Sequence, residues 1–145
     1  MIRVAEERDF DGTMNLLRQL NPADPVITDG RDEDVFAEIL ENMNLILIVM
    51  EEQSKIVSTC YLNIIPNLTR NASPYAVLEN VVTDAGFRKR GFGKATIQFA
   101  LDYAWQAGCY KVMLLTSREN THPFYKSCGF IADEKFAFVA RPPKI

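Results

Sequence analysis

The chain has 145 residues, 48% of them hydrophobic, and a formal charge of −3 at pH 7, values that suit one globular domain with a real core. The acidic balance argues against broad nucleic-acid affinity, which rests on neutralising many phosphates with clustered Lys and Arg. The longest uncharged apolar stretch, residues 45–50, is far too short to cross a bilayer, and Met1-Ile2-Arg3 opens no signal peptide. Cys60, Cys109 and Cys128 lack the Cys-x-x-Cys spacing of zinc or thiol redox sites and read as reduced thiols. The expectation is a single cytoplasmic domain over 1–145, with no metal and with neither nucleic acid nor membrane as a partner.

In chain order, residues 2–5 form a short first strand. Asp9 then caps a helix whose apolar face carries Phe10, Met14, Leu17 and Leu20, and Asn21-Pro22 ends it. Asp32 opens an acidic helix in which Val35, Phe36, Ile39, Leu40 and Met43 recur at helical spacing. Residues 45–51 and 56–65, joined by Glu52-Gln53-Ser54-Lys55, read as an antiparallel hairpin. Residues 66–74 are a loop. Tyr75 to Thr83 is a strand of β-formers interrupted by one charge, Glu79. A loop over 84–91 leads into a helix over 93–106, which stops at Gly108. Residues 111–116 are a buried strand, 122–128 a short helix stopped by Gly129, and 130–141 two further strands.

The basic run Arg88-Lys89-Arg90, with Lys94 nearby, stands out in an acidic chain. A solvated loop is the ordinary explanation of such a run. Its place between a strand and a helix, with Gly91 and Gly93 inside the turn, instead suits an anion: glycines let the backbone approach, and the helix N-terminus adds roughly half a positive charge. A Walker loop is excluded, because Gly93-Lys94 is followed by Ala95 and the residue five before Gly93 is Arg88. A Rossmann turn is excluded as well: Thr96 stands where the third glycine belongs, and Thr116-Ser117 where an acid should close the next strand.

The turn reads Arg-x-x-Gly-x-Gly over 88–93. It is preceded by Leu78-Glu79-Asn80-Val81-Val82 and followed by Lys111-Val112-Met113-Leu114-Leu115 and by Pro123-Phe124-Tyr125-Lys126-Ser127-Cys128-Gly129-Phe130. In this order and separation the chain resembles the GNAT superfamily of N-acetyltransferases. Gly108-Cys109-Tyr110-Lys111 and the Phe-Tyr-Lys-x-Cys-Gly-Phe ending are similar to glucosamine-6-phosphate N-acetyltransferases. Two positions depart from that pattern: Asn80 stands where a second acid is usual, and Arg118 where an asparagine is usual, with Asn120 displaced from it.

The resemblance implies an α/β fold with a mixed, mostly antiparallel sheet, splayed at its central strand, and helices on both faces. It implies acetyl-CoA as acyl donor, bound by a core over about 75–130. Backbone groups around Val81, Val82 and Thr83 would hold the pantetheine arm, with Asn120 and Tyr125 as further contacts. The amides from Lys89 through Arg90, Gly91, Phe92 and Gly93 to Lys94 would hold the pyrophosphate. The side chains of Arg88, Lys89, Arg90 and Lys94 are candidates for the outlying phosphates.

The same resemblance puts Tyr125 where a phenol hydrogen-bonds or protonates the departing sulfur; from residue type alone it is equally a core aromatic beside Phe124 and Phe130. A phenol's ordinary pKa is about 10 against about 8.5 for a thiol, so full transfer is uphill by about 2 kcal/mol. Glu79 is the candidate base for the amine, directly or through water, with a cross-strand salt bridge as the alternative. Simple alternation sets it on the face of Val77 and Val81, which a bulge would change. His122, the one histidine, is a reserve base. The implied reaction is direct acetyl transfer to a primary amine, small molecule or peptide, and the family suggests a homodimer through the last strands. Two competing readings are a catalytically silent acyl-CoA-binding module and a basic loop that docks an acidic partner.

Overall fold

Gln53 and Ser54 both have positive φ, 50° and 63°. This is the geometry of two-residue turns whose twist matches that of the flanking strands, and it folds β2 (Leu45–Glu52) back on β3 (Lys55–Ile65). The computed structural model describes residues 1–144; Ile145, the last residue of the expected domain, lies outside them. The described residues form two compact units, one ending at Leu114 and one starting at Leu115.

In the first unit the hairpin is flanked by β1 (Ile2–Val4) on one side and by β4 (Tyr75–Thr83), then β5 (Val112–Leu114), on the other. The first three pairings are antiparallel and β4–β5 is parallel, which is the expected mixed sheet. Helices α1 (Phe10–Leu20) and α2 (Arg31–Glu41) cover one face: Leu16 and Phe36 bury with Leu47, Val49, Ile56 and Val82. Period-two alternation turns Ile48, Cys60, Leu62 and Leu78 to the other face. There α4 (Phe92–Gln106) buries Ile97, Ala100, Leu101 and Ala104, and the Cys60 thiol lies 3.9 Å from the Thr96 carbonyl oxygen. Burial pushes that thiol's pKa up to about 12, so it stays protonated and inert. Between β3 and β4, Thr69–Ala72 (α3) is a single turn in which Arg70, Asn71 and Ala72 all have positive φ.

Three expectations need correction. Asp9 does not cap α1 through its side chain. Its carboxylate instead takes two hydrogen bonds from the Arg3 guanidinium, at 2.6 and 3.1 Å, and one from the Glu6 amide at 2.8 Å. The strand expected over 111–116 shrinks to Val112–Leu114, half-buried, with Leu115 60% exposed. The two strands expected over 130–141 do not form among the described residues. Asp133 turns left-handed at φ 64°, and Phe136 and Phe138 are 82% and 97% exposed, so neither burial nor a ladder supports extended pairing there. The second unit contains α5 (His122–Ser127), preceded by a 3-10 turn at Glu119–Thr121.

The Arg3–Asp9 pair gives the first expected outcome. Burial pulls the Asp9 carboxyl upward, but the Arg3 and Glu6 bonds outweigh it and hold the pKa below the usual range. A depressed carboxyl contributes stability that is fully present above the unfolded value near 4 and is lost as pH falls through the folded value. Asp9→Ala, which leaves Arg3 buried without its main partner, is expected to cost about 3 kcal/mol at neutral pH in a urea titration. Below about pH 4 the gap to the parent protein should narrow.

Candidate functional site

The pairing of β4 with β5 covers Ala76–Leu78 against Val112–Leu114 and goes no further. Beyond Leu78, β4 is therefore paired on its β3 side only. On that side Glu79 opposes Tyr61 and Val82 opposes Thr59, so three steps along β4 match two along β3. One extra residue is accommodated by Asn80, whose φ is +52°. A bulge of this kind bends the strand and re-aims its side chains. Its consequence here is definite: Glu79, opposite Tyr61, and Val82, packed in the α1/α2 core, share the α1/α2 face although they are an odd number of residues apart. The expected splay and the anticipated bulge are thus the same place, with Asn80 exposed and Val81 and Thr83 half-buried.

Past Thr83 the chain runs through Asp84 into the glycine turn. Asp84 is 7% exposed. It accepts hydrogen bonds from Gln19 Nε2 and the Gly86 amide, each 2.9 Å, and its other contact is Lys55 Nζ at 3.2 Å. Those partners, Gln19 first, hold its carboxyl below the ordinary range. Asp84 therefore ties the start of the loop to α1 and to the β2–β3 hairpin. An Asp-x-Gly turn is visible in the sequence, but partners far away along the chain are not, and this anchor was not among the expected site residues.

Of the four expected cations, two are already engaged. Arg88 Nε donates to the Thr83 carbonyl at 3.2 Å, which also removes that carbonyl from the groups free for a ligand. The Arg90 guanidinium lies over the Phe87 ring at 5.0 Å, with Lys55 Nζ 5.3 Å from the same ring. Lys89 and Lys94 are exposed, and Lys89 is left-handed at φ 63°.

Gly91 is the N-cap of α4, with φ 81° and no side-chain cap. The first intrahelical bond returned to it comes from the Ala95 amide, so the amides of Phe92, Gly93 and Lys94 have no intrahelical acceptor. A Cβ built on Gly91 meets nothing within 4 Å, which leaves the approach to those amides open. Gly30, the N-cap of α2, has nearly the same backbone at φ 82°. The first turn of α2, however, contains Asp32, Glu33 and Asp34, whereas the first turn of α4 has no acid. Two geometrically equivalent helix starts therefore differ in charge, and only that of α4 suits a diphosphate.

Asn120, His122 and Tyr125 belong to the second unit. Asn120 and His122 are exposed, and Tyr125 is half-buried. The Tyr125 ring meets Phe124 and Phe130 edge-on, at centroid distances of 5.2 and 6.2 Å. Gly129, at φ 95°, reverses the chain so that the Phe130 amide donates to the Tyr125 carbonyl at 3.2 Å. The glycine and both aromatics of the ending thus fix the tyrosine's ring.

Comparison with known proteins agrees with this geometry. A family model described as Acetyltransferase (GNAT) family matches residues 13–130. A glucosamine 6-phosphate N-acetyltransferase of Trypanosoma brucei brucei is 34% identical over 136 residues, covering 92% of this chain and 90% of that protein. Among solved structures, a protein of Agrobacterium tumefaciens str. C58 provisionally assigned as an acetyltransferase superposes with a TM-score of 0.93 at 44% identity, covering 98% of this chain and 99% of the other. The glucosamine-6-phosphate N-acetyltransferase of Arabidopsis thaliana gives 0.86 at 30% identity, covering 97% of both chains. The chain belongs to the GNAT acetyltransferase family and is an acetyl-CoA-dependent N-acetyltransferase.

Proposed function

We propose that residues 1–145 act as one catalytic domain that moves the acetyl group of acetyl-CoA directly to a primary amine, with Glu79 and Tyr125 handling the two protons. The observation that carries this reading is the bulge at Asn80, which interrupts β4 one short loop before the uncapped, acid-free N-terminus of α4. The thioester supplies an activated acyl carbon. The amides of Phe92, Gly93 and Lys94 bind the diphosphate, with Lys89 and Lys94 as the nearer free cations. Backbone groups of Val81, Val82 and Thr83 on the edge without a β5 partner hold the pantetheine arm, and Asn120 supports it. Arg88 and Arg90 shape the loop through Thr83 and Phe87.

Glu79, on the α1/α2 face, takes the proton that the attacking nitrogen must lose. Tyr125, placed by the Phe-Tyr-Lys-x-Cys-Gly-Phe ending, donates to the departing sulfur. The exposed Phe136, Phe138 and Val139 support a homodimer through the C-terminal segment, which would cover them. Free, buried Cys60, Cys109 and Cys128 support a cytoplasmic setting; no described helix is long and apolar enough to cross a membrane.

Glu79→Gln tests the base. Steady-state kinetics with a fixed acceptor should show kcat/KM for the amine falling roughly 100-fold near pH 7, within the usual range for a lost general base. The acetyl-CoA KM should hold, and the deficit should shrink as pH rises and the amine becomes neutral unaided. A uniform loss across pH, or none, would remove Glu79 from the proton path.

A further inference from the structure

Between α1, α2 and the sheet lies a cavity of about 420 Å³ that reaches Asn80 at the bulge. Its wall is made mainly by Met14, Leu17, Ile27, Val35, Ile39 and Leu47. Inside this apolar wall is the Thr13 hydroxyl, 1% exposed and without a hydrogen-bond partner among the described residues. A hydroxyl buried that deeply is ordinarily satisfied, so its position marks a place for one polar atom of a bound molecule.

The charge around the cavity has one sign. The only cation in its lining, Arg31, is turned to Asp29, with Nε 3.0 and 2.8 Å from the two carboxylate oxygens. Asp32 lines the cavity too, and Glu33 and Asp34 follow it in the first turn of α2. Tyr61, also in the lining, has its phenol pushed up by burial and then by the charge of Glu38. A phosphate-bearing acceptor needs donors and positive charge, and this cavity supplies little of either. An ammonium on an apolar body meets attraction at the rim and burial inside.

We infer that the acceptor held by this cavity is a cationic amine with an aliphatic or aromatic body, and not a sugar phosphate. The inference rests on the acetyltransfer reading above. The step forms the N–C bond and breaks the C–S bond; the nitrogen loses one proton and the thiolate gains one, so no further reactant is required.

The test is thiol release from acetyl-CoA with 2-phenylethylamine, spermidine and glucosamine 6-phosphate as acceptors, repeated with butyryl-CoA. The expected kcat/KM for 2-phenylethylamine exceeds that of the other two amines by at least about tenfold. Ile27→Ala and Val35→Ala, which trim two partly exposed wall residues, should each raise its KM by about fivefold and leave the acetyl-CoA KM unchanged. Preference for glucosamine 6-phosphate or spermidine would overturn the assignment while leaving the enzyme reading intact, as would variants without effect. Faster turnover with butyryl-CoA that both variants abolish would assign the cavity to the acyl chain and overturn it equally. Acetyl-CoA binding with no thiol release for any amine would bring down the acetyltransfer reading itself.

Discussion

Gly91→Val is expected to weaken acetyl-CoA binding about 100-fold in a calorimetric titration, or about 2.7 kcal/mol. Two effects combine. At φ 81° a β-branched residue is a conformational outlier, and relief of that strain moves the backbone that aims the amides of Phe92, Gly93 and Lys94. The valine side chain also enters the open approach that a Cβ at Gly91 would face. Each charge-assisted bond to phosphate is worth about 1.5–3 kcal/mol, so losing one or two accounts for the magnitude. Gly30→Val is the control. It imposes the same strain at φ 82° with equally open space, but at a helix whose first turn is acidic. It should lower Tm by a comparable amount and leave acetyl-CoA affinity within about twofold. Equal affinity losses in both variants would mean that strain, and not the loop, governs binding.

Tyr125→Phe should reduce kcat about 30-fold, with the acetyl-CoA KM changed by less than about threefold and Tm unchanged. The ring's edge-on contacts with Phe124 and Phe130 survive in phenylalanine, so folding of α5 gives no reason for a loss. What disappears is a donor to the sulfur. Because a phenol is normally a weaker acid than a thiol, the benefit is greatest for thiolates of high pKa. Donors with a more acidic leaving thiol should therefore show a smaller deficit in the variant. An unaltered kcat would return Tyr125 to the role of a packing aromatic.

Periodicity and turn chemistry made most of the first unit legible. The 45–65 hairpin, the 75–83 strand and the helix ended by Gly108 follow from β-formers, Gly and Pro placed where only certain backbones fit. Long-range partnerships were not legible. Asp9 looked like a helix cap because Asp before an apolar helix usually is one, yet Arg3, brought alongside by β1, claims its carboxylate. Asp84 carries no sign of Gln19 or Lys55. Gly12 looks like a weak point in α1 until packing is considered: a Cβ there would lie 2.7 Å from Ile56 Cγ1, so glycine permits the close approach of α1 to β3. The tail from 130 misled because β-propensity describes fit to a half-buried pleated surface, and Phe136 and Phe138 have no such surface in the described chain.

The candidate site divides the same way. The glycines, the basic run and Tyr125 are readable as a local pattern. The facing of Glu79 is not, because one residue of bulge at Asn80 reverses what alternation gives. The cavity wall is drawn from α1, α2 and the sheet together, and no segment of sequence contains it.

Amine-dependent thiol release from acetyl-CoA, followed against product mass, tests the account most directly. It predicts release that saturates in both substrates, one acetyl group added to the amine per thiol freed, and loss of that release in Gly91→Val. Tight acetyl-CoA binding, with thiol release that no amine accelerates, would contradict it.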